Sequence, residues 1–235
     1  MIPLKDDNPT TNKPLVTYIL ISISIIVFLI ELNSSSYKSG TFFYSFGLIP
    51  SVFFGNNILP QEIQVIPPAL TIFSSMFVHG GFMHLIGNML YMWIFADNIE
   101  DDLGKIKFLI FYLLCGIGAA LSQAFIDTTS QIPIVGASGA IGGILGAYLI
   151  NYPKAKVLVL IPLGFFSQII KIRALYVLGF WFLLQFINSS LSNNQGGGVA
   201  YAAHIGGFIS GMILILFFNK KKNKTNKNII KGPWN

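Results

Sequence analysis

Four polar side chains in this sequence could do chemistry together. Ser138 carries a hydroxyl inside the apolar stretch IVGASGAIGGILGAYL, residues 134–149. His204 carries an imidazole inside a second such stretch, AHIGGFISG, residues 203–211. His84 and Asn88 stand four apart in a third, HLIGNML, residues 84–90. A serine hydroxyl becomes a useful nucleophile when a neighbouring base takes its proton, and histidine titrates in the right range to do so. A histidine and a carboxamide both offer N–H donors, which suit the oxyanion of an acyl-transfer intermediate. Each such donor is worth about 3 kcal/mol in a preorganised site. The set therefore predicts hydrolysis of an acyl bond, provided the chain folds to bring these groups to one place.

The elements that must do this are membrane spans. Hydrophobic residues make up 53% of the 235 positions, charged ones 10%, and mean hydropathy is +0.67. A soluble domain has about 25% charged residues. Apolar runs near 20 residues recur, the length that crosses ~30 Å of hydrocarbon. The fold expected is an all-α polytopic bundle of six transmembrane helices. Approximate limits are Leu15–Leu32, Phe82–Asn98, Phe108–Ile126, Ile134–Ile150, Ala174–Ile187 and Val199–Phe218. Residues 1–14 and 220–235 read as cytoplasmic tails around one membrane domain, 15–219. The first span reads as an uncleaved anchor, since its apolar region is long and no small-residue cleavage site follows. Val157–Phe166 is apolar but short and holds Pro162 and Gly164, so it reads as an interfacial segment. The long loop Asn33–Gly81 is rich in Phe and Tyr, which favour the headgroup level.

Charge fixes the expected orientation. Six spans put both termini on one side, and of the 15 Lys and Arg residues only Lys38 then falls opposite. The positive-inside rule makes the crowded side cytoplasmic. The Lys-, Asn- and Ile-rich composition suggests a bacterial plasma membrane. The basic stretch Lys220–Lys227 reads as a stop signal that meets anionic lipid. The net charge of +6 does not indicate nucleic-acid binding, because the basic residues flank spans and form no aromatic-interleaved patch. The single cysteine, Cys115, reads as a packed core thiol.

Depth and helical phase bring the four groups together. Ser138 falls ~6 Å inside the outer end of its span, His204 ~8 Å, His84 ~3 Å and Asn88 ~9 Å. Polar groups in a bilayer mark functional sites by default. Ser138, Gly142 and Gly146 share one face of the fourth span, with Gly139, Gly143 and Ala147 alongside. His204, Gly207 and Gly211 share a face of the sixth. Small-xxx-small faces let helices approach closely in lipid, so packing these two faces would set Ser138 against His204. No Asp or Glu falls in the fourth, fifth or sixth span, and a triad would need Asp127 or Glu62 from a loop. The remaining acids are assigned to tails, loops or the inner end of the second span. His204 must then be oriented by packing or by a neutral hydrogen bond.

These residues carry a family resemblance. The ordered set HGGFMHLIGNMLYMWIFADNIEDDLG (79–104), GASGAIGGILGAYL (136–149) and AHIGGFISG (203–211) resembles the rhomboid family of intramembrane serine proteases. The resemblance covers about Ile72 to Phe218. It implies a Ser138–His204 dyad, an oxyanion hole from His84, Asn88 and the Ser138 backbone N–H, and transmembrane protein substrates. It implies His79 and Glu100 as structural residues of the first outer loop, Gly136, Gly139, Gly142, Gly143, Gly207 and Gly211 as packing residues, and the fifth span with Trp181 as a lateral gate. No cofactor or metal is implied. Two features depart from the family pattern. The tryptophan–arginine pair many members carry in the first loop is absent, and Gly142 stands four residues after Ser138 where some members have an aromatic ring.

Rival readings fit less well. A zinc hydrolase built on His79, His84 and His204 would leave Ser138 without a role, and His79 and His84 diverge by roughly 140° on an ideal helix. A transporter would show broken helices or ionisable groups near the midplane, whereas this polar layer is shallow. A catalytically dead relative would normally have lost the serine or the histidine, and both are present. Taken singly, Ser138 reads as a packing residue and the other three as interhelical polar contacts. Their joint agreement in depth, face and order favours the dyad.

Overall fold

Backbone polar groups in hydrocarbon have no water to bond, so apolar runs close their hydrogen bonds internally as helices. The computed structural model describes residues 1–34, 40–191 and 198–218. Lys38 and the Lys220–Lys227 stretch lie outside them. Six longer helices follow the apolar runs: α1 (Leu15–Asn33), α5 (Phe82–Leu103), α6 (Lys105–Ala124), α7 (Ser138–Asn151), α8 (Ala174–Leu191) and α9 (Tyr201–Phe218). Three short helices, α2 (Thr41–Phe46), α3 (Pro50–Phe53) and α4 (Thr71–Ser74), punctuate the segment between α1 and α5.

Among the described residues four helices, α1, α6, α8 and α9, are long and apolar enough to cross a membrane. α5 has 22 residues but ends in the acidic run Glu100, Asp101, Asp102. α7 has 14 residues, so it is ~21 Å long. It starts four residues later than the apolar run suggests. Ile134 instead pairs with Leu48 as an isolated antiparallel bridge, with N–H···O distances of 2.8 and 3.0 Å. α5 passes to α6 through Gly104 alone, whose φ of +75° a side chain would strain.

α7 is the buried centre. Residues Gly139 to Tyr148 of this helix are all buried. Its glycine face meets α9 backbone to backbone. A methyl group on Gly207 would overlap the carbonyl oxygen of Gly139, and one on Gly211 that of Gly143. One on Gly142 would come within 2.9 Å of the His204 carbonyl oxygen. On the other side, Ala119 and Cys115 of α6 press against Gly139 and Gly143. Cys115 is fully buried and unbridged.

The fold is mostly helical rather than all-α. Ile2–Asp6 (β1), Lys156–Ile161 (β2) and Gln168–Arg173 (β3) form an antiparallel sheet in the order β1-β2-β3. The segment assigned to the interface is thus a hairpin with Lys156 opposite Arg173, and Pro162 and Gly164 lie in its turn. The reason is the period-two pattern of KVLVLI. Val157 and Val159 point inward and are fully buried, while Lys156 points out. The supposed N-terminal tail is docked as well. Ile2 pairs with Leu160 and Asp6 with Val157. Thr11 and Asn12 donate to the Asp101 carboxylate at 2.6–3.0 Å, and Asn98 Nδ2 donates to the Asn8 carbonyl at 3.0 Å.

One contact of this docked segment is sensitive to pH. Asp6 is buried and accepts a 2.5 Å hydrogen bond from the Tyr148 hydroxyl. Burial pushes its carboxyl up to about 6, against the smaller opposing effect of the Tyr148 bond. A folded-state value above the ordinary one means the fold favours the protonated acid. That contribution is complete below about pH 4 and is lost as pH rises through about 6. Protection of the β1 amides from hydrogen exchange, corrected for intrinsic rates, should therefore fall between pH 5 and pH 8. The expected loss is at most about 3 kcal/mol. Asp6→Asn should flatten the profile; an unchanged slope in that variant would assign the effect to another group.

Candidate active site

The start of α7 decides where Ser138 sits. Ser138 is its first residue, and the first intrahelical bond runs from the Ile141 N–H to the Ala137 carbonyl at 2.9 Å. The N–H groups of Ser138, Gly139 and Ala140 thus have no partner within the helix, which is where a helix attracts negative charge. The turn before it needs Gly136, whose φ is +115° and whose N–H donates to the Ser75 carbonyl at 2.8 Å. Gly136 therefore serves the turn and not helix packing.

The close α7–α9 contact brings the Ser138 hydroxyl and the His204 ring together. Ser138 Oγ lies 2.8 Å from His204 Nε2. His204 Nδ1 lies 2.8 Å from Oε1 of Gln185, on α8. The residue that bonds the imidazole is therefore a neutral amide that sequence reasoning passed over. Its only signal was a glutamine among the apolar residues of α8. Trp181, one turn earlier, packs its ring 5.7 Å from the His204 ring and 6.1 Å from Phe208. The aromatic neighbour of the imidazole thus comes from α8. The place four residues after Ser138, at Gly142, is filled by the α9 backbone.

α5 supplies donors from the other side. A Cβ on Gly136 would lie 2.6 Å from His84 Nε2 and 3.6 Å from Asn88 Nδ2, so both side chains reach the turn that precedes Ser138. The Gly80 N–H donates to His84 Nδ1 at 3.4 Å. That leaves the ring proton on Nε2, the atom facing the turn. Asn88 is buried, and its Nδ2 has no hydrogen-bond partner among the described residues. An unsatisfied buried donor is costly.

Of the two residues expected in the first loop, His79 lies there and Glu100 does not. His79 is fully buried in the loop before α5, with Nδ1 donating to the Phe77 carbonyl at 3.0 Å and its ring 5.3 Å from that of His84. Burial, and then the neighbouring His84, hold its imidazole down to about 4, so it is neutral. Its backbone N–H donates to Glu31 Oε2 at 3.4 Å. Glu31 is an acid within the first span that the sequence reading had assigned elsewhere. Glu100 does not serve the first loop. It lies at the opposite end of α5, where its carboxylate accepts from the Val16 and Thr17 N–H groups and the Thr17 hydroxyl at 2.8–2.9 Å. It caps α1, satisfying orphan donors of that helix and complementing its dipole. Among the described residues no three His, Cys, Asp or Glu side chains converge as metal ligands. His79 and His84 are neighbours, but Nε2 of His204 is engaged by Ser138.

Comparisons with known proteins point to one family. A rhomboid domain matches residues 68–221. Rhomboid protease AarA of Providencia stuartii is 35% identical over 157 residues, 61% of this chain and 54% of that protein. Rhomboid protease GluP of Bacillus subtilis is 32% identical over 204 residues, 85% of this chain and 34% of that protein. Rhomboid protein 1, mitochondrial, of Saccharomyces cerevisiae is 29% identical over 174 residues, 70% of this chain and 47% of that protein. The chain thus spans about half or less of the length of these relatives.

Gly136→Ala tests the turn. A side chain there is strained by φ and displaces His84. The rate at which a fluorophosphonate labels Ser138 in detergent should fall about a hundredfold, the usual scale for ~1 Å misplacement. Labelling at the wild-type rate would show that the His84–Gly136 contact is not needed for serine reactivity.

Proposed function

Because the chain belongs to the rhomboid family, we propose that it is an intramembrane serine endopeptidase. It cleaves transmembrane segments of membrane proteins near the outer face of the bilayer with a Ser138–His204 dyad. The observation that carries this reading is the 2.8 Å contact between Ser138 Oγ and His204 Nε2 at the half-buried start of a short buried helix. The donors of α5 stand beside it. α7 is ~9 Å shorter than the hydrocarbon is thick. With α7 as the fourth of six spans, its serine end is recessed below the outer surface. Both termini then lie in the cytoplasm, as the charge asymmetry of the loops supports.

A client segment approaches α8 from the lipid, with Trp181 at the gate, and its end unwinds to expose an amide. His204 Nε2 takes the Ser138 proton as Oγ attacks the carbonyl carbon. Negative charge builds on the carbonyl oxygen and is held by His84 Nε2–H, Asn88 Nδ2–H and the free N–H groups at the start of α7. The imidazolium then protonates the leaving amine. Water, with its proton taken by His204, hydrolyses the acyl-enzyme and restores Ser138. The chemistry needs no metal or organic cofactor.

In proteoliposomes, Ser138→Ala and His204→Ala should each abolish cleavage of a test transmembrane substrate while thermal unfolding stays cooperative. Cleavage at the wild-type rate in either variant would sink the dyad. Asn88→Ala should lower kcat about a hundredfold with KM nearly unchanged. A change confined to KM would remove Asn88 from the oxyanion hole.

A further inference from the structure

The imidazole of His204 is held by an amide, and the orientation of that amide is itself held. Gln185 is 8% exposed on α8. Its Nε2 donates to the Trp181 carbonyl oxygen at 3.1 Å, and its Oε1 lies 2.8 Å from His204 Nδ1. A backbone carbonyl can only accept. Turning the amide over would set two oxygens against each other across the Trp181 contact. The Trp181 carbonyl therefore determines which end of the amide faces the ring.

The next step follows from the same inventory. An amide oxygen can only accept, so Nδ1 must carry the ring proton. A neutral imidazole with its proton on Nδ1 has a lone pair on Nε2, the atom 2.8 Å from Ser138 Oγ. The opposite tautomer would place an N–H against the serine and could not take its proton. We propose that Gln185 is a positioning residue that locks His204 in the Nδ1–H tautomer and so aims the Nε2 lone pair at Ser138; this rests on the dyad reading above. Packing supports the lock. The Trp181 ring lies 5.7 Å from the imidazole at 31° and the Tyr201 ring 6.3 Å away at 88°, so the ring is flanked on two sides. A neutral acceptor also spares the buried site a permanent carboxylate, which is costly inside a membrane.

Two measurements test this on the full-length protein in detergent. The first is the 15N spectrum of histidine-labelled protein, with the ring signals assigned by His204→Ala. His204 should show a pyrrole-type Nδ1 and a pyridine-type Nε2. Gln185→Leu should partly populate the other tautomer. A wild-type ring protonated on Nε2, or a Gln185→Leu ring unchanged from wild type, overturns the proposal. The second is kinetic. Gln185→Leu should lower kcat about tenfold, the scale of one buried hydrogen bond, with KM unchanged. Gln185→Glu still accepts from Nδ1–H, so it should keep most activity. Its carboxylate should move the acidic limb of the pH–rate profile up by about one unit. A Gln185→Glu variant as impaired as Gln185→Leu, with an unmoved limb, contradicts the lock. A wild-type protein that cleaves nothing sinks the protease reading alone, because the ring spectrum still scores the tautomer.

Discussion

The backbone contact between α7 and α9 is the constraint on which the site depends. Lipid tails do not drive helices together, so association in a membrane relies on close packing. Here the packing is backbone on backbone. Gly139 and Gly143 receive Gly207 and Gly211, and no side chain fits between them. Ala119 and Cys115 brace α7 from behind. The spacing between the serine and the histidine is thereby set by two rigid rods and not by flexible side chains. Transfer of a proton tolerates little misplacement, and glycine is the residue that lets main chains set the distance.

Around that contact the polar groups are distributed by helix. α7 offers the Ser138 hydroxyl, α9 the His204 imidazole, α5 the His84 and Asn88 side chains and α8 the Gln185 amide that bonds the imidazole. His204 and His84 are each held by a further residue, Gln185 and the Gly80 N–H. Behind His84 stands the neutral His79, whose N–H meets Glu31 of α1. Glu100 pins the start of the same helix at the other end of the molecule. α1 is thus tied at both ends to the segment that carries His84 and Asn88, though it holds none of the four clustered polar groups.

The four clustered polar groups were legible in the sequence for a physical reason. Histidine and asparagine are costly in apolar runs, Ser138 stands out only in their company, and the 3.6-residue period says which face each occupies. What was not legible depends on partners far along the chain. The residues IVGA before Ser138 look like helix, yet Ile134 bonds Leu48 and Gly136 takes a left-handed turn. Gln185 and Glu31 are isolated from the other clustered polar groups in sequence and sit in largely apolar helices. Their importance depends on the rotation of α8 and α1 about their own axes, which a broad apolar surface does not specify. The sheet was missed because β1 and β2 lie at distant points of the chain and neither strand is long enough to declare itself alone.

The sheet sets an order on how the molecule is made. Tyr148, the partner of Asp6, lies 142 residues further along the chain. At ribosomal speed that interval is on the order of ten seconds. During it the first strand has no edge to join, while the early helices are already being threaded into lipid. β1, made before the bundle, therefore closes late, like a clasp fastened over a finished bundle. Until it does, the hairpin that receives it presents an unzipped border to whatever else is nearby.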